Sequence, residues 1–146
     1  MDYREYEILI VEDSPEDAEL MIISLTKNKV ANPITVLEDG QEALDFIFCT
    51  GPYSERNFND KPKVIFLDLK LPKVHGLEVL KAIKSNSKTS EIPVVIVTSS
   101  KEDPDVKTAY HYGANSYVVK PVNFDEFMET MKQIGSYWLF INERPA

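Results

Sequence analysis

The sequence predicts one α/β domain, a five-stranded parallel sheet covered by helices on both faces. Three observations carry that prediction. Short, wholly apolar runs alternate along the chain with segments whose apolar residues recur at helical spacing, as buried parallel strands joined by helical crossovers require. The sharpest run, Val64 to Leu67 within KVIFLDLKLP, is apolar at every position between Lys63 and Asp68, which suits a central strand buried on both faces. Asp68 then stands at the carboxyl end of that strand, and this end of an open α/β sheet faces the ligand crevice.

Length and composition fit this reading. The 146 residues, 43% of them hydrophobic, can bury one full core and leave little room for a second domain. A single domain over residues 1–146 is therefore expected. Sixteen basic against twenty-four acidic residues give a net charge of −8, which disfavours nucleic acid as a partner. Cys49 is the single cysteine, so no internal disulfide or multi-cysteine metal site is available and a reducing compartment is natural. The lead MDYREYE is charged, and no apolar run approaches the ~20 residues of a membrane span. A soluble, cytoplasmic protein with no membrane partner is expected.

Taken in order, Ile8 to Val11 is the first strand and ends in Glu12, Asp13 and Ser14. Pro15 suits a first helical position and Asp17 a first turn, where its charge complements the helix dipole; Ala18, Met21, Ile22 and Leu25 then keep helical spacing. Ile34 to Leu37 is the second strand, and Asp39-Gly40 leads into a helix carrying Ala43, Leu44, Ile47 and Phe48. The polar stretch TGPYSERNFNDKP delays the third strand and is either a recognition loop or solvated surface. After Asp68 a helix from Gly76 to Ile83 turns Leu77, Leu80 and Ile83 to one side. Pro93 to Val97 is the fourth strand, ending at Thr98. Ser99 or Ser100 can cap a helix running to about Tyr112, with Val106, Ala109 and Tyr110 inward. Ser116 to Val119 is the fifth strand, ending at Lys120-Pro121. Asn123 with Glu126 caps a last helix through Phe127, Met128, Met131, Ile134, Trp138 and Ile141.

The strand ends converge chemically. Glu12 and Asp13 follow the first strand, Asp68 the third, Thr98 the fourth and Lys120 the fifth. Carboxylates gathered in a crevice repel one another unless a cation joins them, and Mg2+, which takes oxygen ligands and retains waters, resolves that repulsion. A metal beside an amine and a hydroxyl makes a site for a phosphoryl group. Asp68, central between metal and lysine, is the candidate to carry it as an aspartyl phosphate.

These residues resemble the receiver domains of two-component response regulators, of the single-domain kind. The resemblance rests on ILIVED at Ile8 to Asp13, FLDLKLPKVHG at Phe66 to Gly76, VVIVTSS at Val94 to Ser100 and GANSYVVKP at Gly113 to Pro121. It implies the flavodoxin-like strand order 2-1-3-4-5. It also implies that Asp68 is the phosphoacceptor, that Glu12, Asp13 and the backbone carbonyl of Lys70 join Asp68 in holding Mg2+, and that Thr98 and Lys120 bind phosphoryl oxygens. Tyr117 falls at the aromatic switch position, and the Lys120-Pro121 bond is expected to be cis. The chain departs from the usual pattern at Glu12, where many members have aspartate, and at His75, a change expected to affect only the turn. Lys70 and Ser100 belong to the variable rim of the site, where the Lys70 head is expected to screen against attacking water.

No output domain is expected, so signalling would proceed by docking or onward phosphotransfer, without enzymatic activity beyond self-catalysed phosphotransfer and autodephosphorylation. The loop before the third strand and the end SYWLFINERPA look like the receivers that accompany phytochromes, which implies a sensor histidine kinase, here a phytochrome, as partner. Tyr137 to Ile141 form a run apolar on every side, more than one domain can bury, so a homodimer through the helix extension from about 135 to 146 is expected. The alternative is a degenerate receiver used as a constitutive protein-binding module. Flavin binding on the same fold is disfavoured by the acidic loop after the first strand.

Overall fold

Five apolar runs lie side by side as a parallel sheet in a computed structural model that describes residues 7–27 and 32–142. The first six residues of the charged lead and residues 143–146 of the aromatic tail lie outside the described residues. The strands are β1 (Ile8–Val11), β2 (Ile34–Leu37), β3 (Val64–Leu67), β4 (Val94–Thr98) and β5 (Ser116–Val119), in the order β2-β1-β3-β4-β5. This is the predicted 2-1-3-4-5 arrangement. Five helices connect and follow them: α1 (Pro15–Lys27), α2 (Gly40–Phe48), α3 (Gly76–Ser85), α4 (Asp103–His111) and α5 (Phe124–Ser136).

Alternation along each strand divides the core in two. Leu9, Val11, Ile65, Leu67, Val94 and Ile96 point to one face and pack with residues of α2, α3 and α4. Ile8, Ile10, Val64, Phe66, Val95 and Val97 point to the other and meet Met21 and Leu25 of α1 and Phe127 and Met131 of α5. All four residues of β3 are fully buried. At roughly 1.5–3 kcal/mol per large apolar side chain, that burial makes β3 the hardest strand to move.

The register puts the strand ends level. Val11 pairs with both Leu37 and Leu67, and Leu67 pairs with Ile96. Backbone bonds carry the ladder one residue further, from Glu12 N–H to Leu37 O (2.9 Å), from Asp68 N–H to Val11 O (3.0 Å) and from Lys120 N–H to Thr98 O (2.7 Å). The functional side chains therefore leave the sheet along one edge.

Several local readings need correction. Neither Ser99 nor Ser100 caps α4; the helix begins at Asp103 after Glu102, because Pro104 in the first turn sets the start beyond the serines' reach. Tyr110 is 51% exposed rather than inward. The long polar stretch is folded down instead of merely solvated: a 3-10 turn, Gly51–Tyr53, is followed by Arg56, whose guanidinium lies over the Phe46 ring at 3.7 Å. Arg56 also donates to the carbonyls of Phe46 and Asp60 and to Glu7 Oε1.

After α5 the helix widens into a π-helical segment, Tyr137–Ile141, closed by Asn142 N–H on Tyr137 O at 2.7 Å. The wider turn shifts the inward stripe, so Trp138 and Leu139 are buried while Phe140 and Ile141 face out. Helical spacing groups Ile141 with the buried Trp138, yet Ile141 is 68% exposed. Lys63, just before β3, donates to Leu139 O at 2.6 Å and fixes this segment against the amino-terminal edge of the sheet. At the same edge the Lys84 ammonium donates to Ser90 O (2.9 Å), Ile92 O (2.7 Å) and Asn115 Oδ1 (2.8 Å).

Candidate functional site

Asp68 leaves β3 into a loop that has no room to wander. Gly76 N–H donates to Leu69 O at 2.7 Å, and a Cβ on Gly76 would overlap the carbonyl oxygen of Asp68. Gly76 thus lets the start of α3 press directly on the backbone that carries Asp68. His75 caps α3, its Nδ1 accepting from Leu77 N–H at 3.1 Å, so the departure noted at this position is absorbed within the turn. Lys70 N–H donates to Asp68 Oδ1 at 3.3 Å, while the Lys70 residue itself is exposed.

Around Asp68 the predicted residues come together. One carboxylate oxygen from each of Glu12, Asp13 and Asp68 lies within 4.8 Å of the others; Glu12 and Asp68 are buried and Asp13 is exposed. Lys120 reaches in from the end of β5 and donates to Glu12 Oε2 (2.7 Å), Asp17 Oδ2 (2.8 Å) and Asp68 Oδ2 (3.0 Å). Thr98 is fully buried at the end of β4, and its hydroxyl acts to lower the pKa of the Asp68 carboxyl. The Lys120-Pro121 bond is trans, as is every peptide among the described residues, which corrects the expected cis bond. Trans is the lower-energy isomer, and from it the Lys120 ammonium already reaches all three carboxylates.

The charges sort themselves by burial and partner. Burial pushes the Glu12 carboxyl up to about 7; the Lys120 bond opposes this and the neighbouring Asp68 charge adds to it. Burial acts on Asp68 in the same sense, but the Thr98 hydroxyl and the Lys120 ammonium outweigh it and hold Asp68 below the usual carboxylate range. Of the two buried acids, Glu12 is thus held toward the protonated form and Asp68 toward the ionised one. Burial disfavours the Lys120 ammonium too, yet its bonds to Asp17 and Glu12 and the Asp68 charge hold it above the ordinary lysine range. The Asp68 carboxylate therefore lies at the sheet edge with a cationic donor, the Lys120 ammonium, already 3.0 Å away.

Tyr117 stands apart from this cluster. Half-buried on β5, it donates its hydroxyl to Ser100 O at 2.8 Å. Ser100 is buried, donates its own hydroxyl to Asp105 of α4 and lies 3.5 Å, N–H to Oγ1, from Thr98. Asp17 is the residue that reading by sequence placed elsewhere, as a helix-dipole charge.

The donor set suits a hard cation: carboxylate oxygens from three residues converge, no softer ligand is among them, and the Lys120 ammonium offsets part of their mutual repulsion. Glu12, Asp13 and Asp68, with the Lys70 carbonyl, are the groups that would hold Mg2+. No helix among the described residues is long and apolar enough to cross a membrane.

Residues 8–132 match the response regulator receiver domain family. The probable methanogenesis regulatory protein FilR2 of Methanothrix harundinacea is 38% identical over 139 residues, covering 95% of this chain and 87% of that protein. Response regulator Rcp1 of Synechocystis sp. is 36% identical over 139 residues, covering 95% and 92%. The crystal structure of the Mn2+-bound form of Rcp1 aligns with a TM-score of 0.90 at 35% identity over 97% of this chain and 99% of that one. The crystal structure of the phosphorylated cyanobacterial phytochrome response regulator RcpA aligns with a TM-score of 0.91 at 31% identity over 98% and 100%.

Proposed function

The chain belongs to the response regulator receiver domain family, and from that premise we propose that it is a Mg2+-dependent phosphoacceptor switch that receives its phosphoryl group on Asp68. The observation that carries the reading is the position of the Asp68 carboxylate: at the end of the central strand, 3.0 Å from the Lys120 ammonium and within 4.8 Å of Glu12 and Asp13 oxygens.

In the reaction a carboxylate oxygen of Asp68 forms a bond to phosphorus while the bond from phosphorus to the donor breaks. The electron pair leaves with the donor, an imidazole nitrogen for a kinase histidine or acetate for acetyl phosphate. Thr98 donates its hydroxyl to one phosphoryl oxygen and Lys120 its ammonium to another, so both are already oriented where negative charge accumulates. Bound magnesium supplies charge neutralisation at the phosphoryl oxygens. The complete set of Glu12, Asp13, Asp68, Thr98 and Lys120 supports this switch over a degenerate receiver that only binds protein.

Members of this family are signalling proteins rather than classical enzymes. The donor is a sensor histidine kinase, and the likeness to the phytochrome response regulator RcpA supports a phytochrome in that role. The charged form would signal by docking to a target or by passing the phosphoryl group onward. A second copy of the chain is the further partner: Tyr137, Phe140 and Ile141 are 46%, 59% and 68% exposed on consecutive turns, an apolar surface that pairing would cover.

Incubation with acetyl phosphate and Mg2+ followed by mass spectrometry tests the acceptor. A gain of one phosphoryl group is expected in the wild type and none in Asp68→Asn. Equal labelling of the two proteins would sink the assignment.

A further inference from the structure

An ammonium has three protons, and in this site all three are committed. Lys120 gives one each to Glu12 Oε2, Asp17 Oδ2 and Asp68 Oδ2, at 2.7, 2.8 and 3.0 Å. Two of those acceptors belong to the group that converges on the cation site; Asp17 does not. Asp17 sits on α1, an element packed against α5, and its side chain is 34% exposed on the rim of a groove that Lys120, Pro121 and Phe124 also line.

The three partners have different fates during phosphoryl transfer, on the reading of the site given above. Glu12 is called to the cation, and the Asp68 oxygen that forms the new bond to phosphorus gives up its negative charge and accepts less strongly. Two of the three anchors of Lys120 therefore weaken together, when its head must meet a phosphoryl oxygen. A lysine side chain has four rotatable carbons and about 2 kcal/mol of rotamer entropy, so an unanchored head would spread over many positions. Asp17 is the one carboxylate whose bond to Lys120 neither step requires to break. It approaches from α1, leaving the Asp68 side of the ammonium open.

We propose that Asp17 is a positioning residue for phosphoryl transfer, holding the Lys120 ammonium beside Asp68 after Glu12 has turned to the cation. It touches neither the phosphoryl group nor the metal and acts only through Lys120. Losing one charge-assisted bond on a partly exposed carboxylate corresponds to roughly a tenfold loss of rate.

Two measurements on the full chain test this. The first is the rate of phosphorylation by acetyl phosphate at saturating Mg2+, together with Mg2+ affinity by titration. Asp17→Asn is expected to slow phosphorylation about tenfold while moving Mg2+ affinity less than twofold, and Asp17→Glu is expected to recover most of the rate. A rate within twofold of wild type, a faster rate, a loss that follows Mg2+ affinity, or a loss that glutamate does not restore would each overturn the proposal. The second measurement uses Mg2+-saturated protein and no phosphodonor, the state in which Glu12 is drawn to the cation: the Lys120 ammonium signal in proton-nitrogen NMR. It is expected to be protected from exchange in wild type and Asp17→Glu and broadened away in Asp17→Asn; an unchanged signal in Asp17→Asn overturns the positioning role. If the wild type takes no phosphoryl group, the acceptor reading fails, and the ammonium signal still decides whether Asp17 holds Lys120.

Discussion

Tyr117 hangs its hydroxyl on the backbone carbonyl of Ser100, 2.8 Å away and two residues beyond Thr98. The aromatic ring on β5 is thus tied to the short loop that follows Thr98, and Ser100 ties that loop on to Asp105 of α4. A pull on Thr98 has a direct mechanical route to both. In wild type, amide signals around Tyr117 and the start of α4 are expected to shift on phosphorylation. In Thr98→Ala they are expected to stay near their unphosphorylated positions even when Asp68 is fully modified, and equal shifts in both proteins would refute the coupling.

Lys70 offers a cleaner separation of roles than most rim residues. Its backbone N–H donates to Asp68 Oδ1, a bond that any side chain preserves, while the exposed residue leaves its head free to shield the phosphoryl group. Lys70→Ala is expected to speed loss of phosphate by about two- to fivefold, or roughly 0.5–1 kcal/mol off the barrier. Dephosphorylation as slow as wild type would show that water approaches from another side.

Much of this architecture was legible in the residues, and the exceptions share a physical cause. β3 could be read at once because Val64, Ile65, Phe66 and Leu67 are all buried, a condition only an unbroken apolar run satisfies. Asp68, Thr98 and Lys120 were readable because each ends such a run. Asp17 was not, since its contact with Lys120 spans 103 positions and nothing local distinguishes it from a charge complementing the dipole of α1. The burial of Leu139 and the exposure of Ile141 were not readable, because a π-helical turn changes the period on which helical spacing is counted. Arg56 folded the polar loop down through a ring and three backbone or side-chain acceptors that lie on different elements, a cluster invisible to composition.

Lys84 predicts a pH dependence. Burial pushes its ammonium down to about 8 from an ordinary 10.5. Between those values the unfolded chain binds a proton that the folded chain has released, so stability from this residue rises with pH across that window. Below about 8 both states are protonated and the contribution is flat. Lys84→Met should also strand the carbonyls of Ser90 and Ile92 and Asn115 Oδ1, at a cost of about 1–3 kcal/mol at neutral pH. Denaturant midpoints measured from pH 7 to 10 are expected to diverge between the two proteins as pH rises; parallel curves would count against a depressed lysine.

For the carboxyl-terminal surface, the informative change is Phe140→Ser with Ile141→Ser. Truncation after Gly135 would strip Trp138 and Leu139 from the core and measure folding instead. The double substitution removes apolar area worth several kcal/mol at about 25 cal/mol per Å² while leaving those two buried residues in place. Light scattering at micromolar concentration is expected to give a dimer for the wild type and a folded monomer for the variant. A monomeric wild type, phosphorylated or not, would remove the pairing proposal.

The bond from Lys63 to the Leu139 carbonyl gives β3 two opposite jobs. One end of the strand presents Asp68, and the other, some five residues and roughly 17 Å away, secures the carboxyl-terminal segment. Copies joined by that segment would stand back to back, with their receptive edges directed outward. Each half would then keep its Asp68 open to a phosphodonor, with two acceptor carboxylates to a pair.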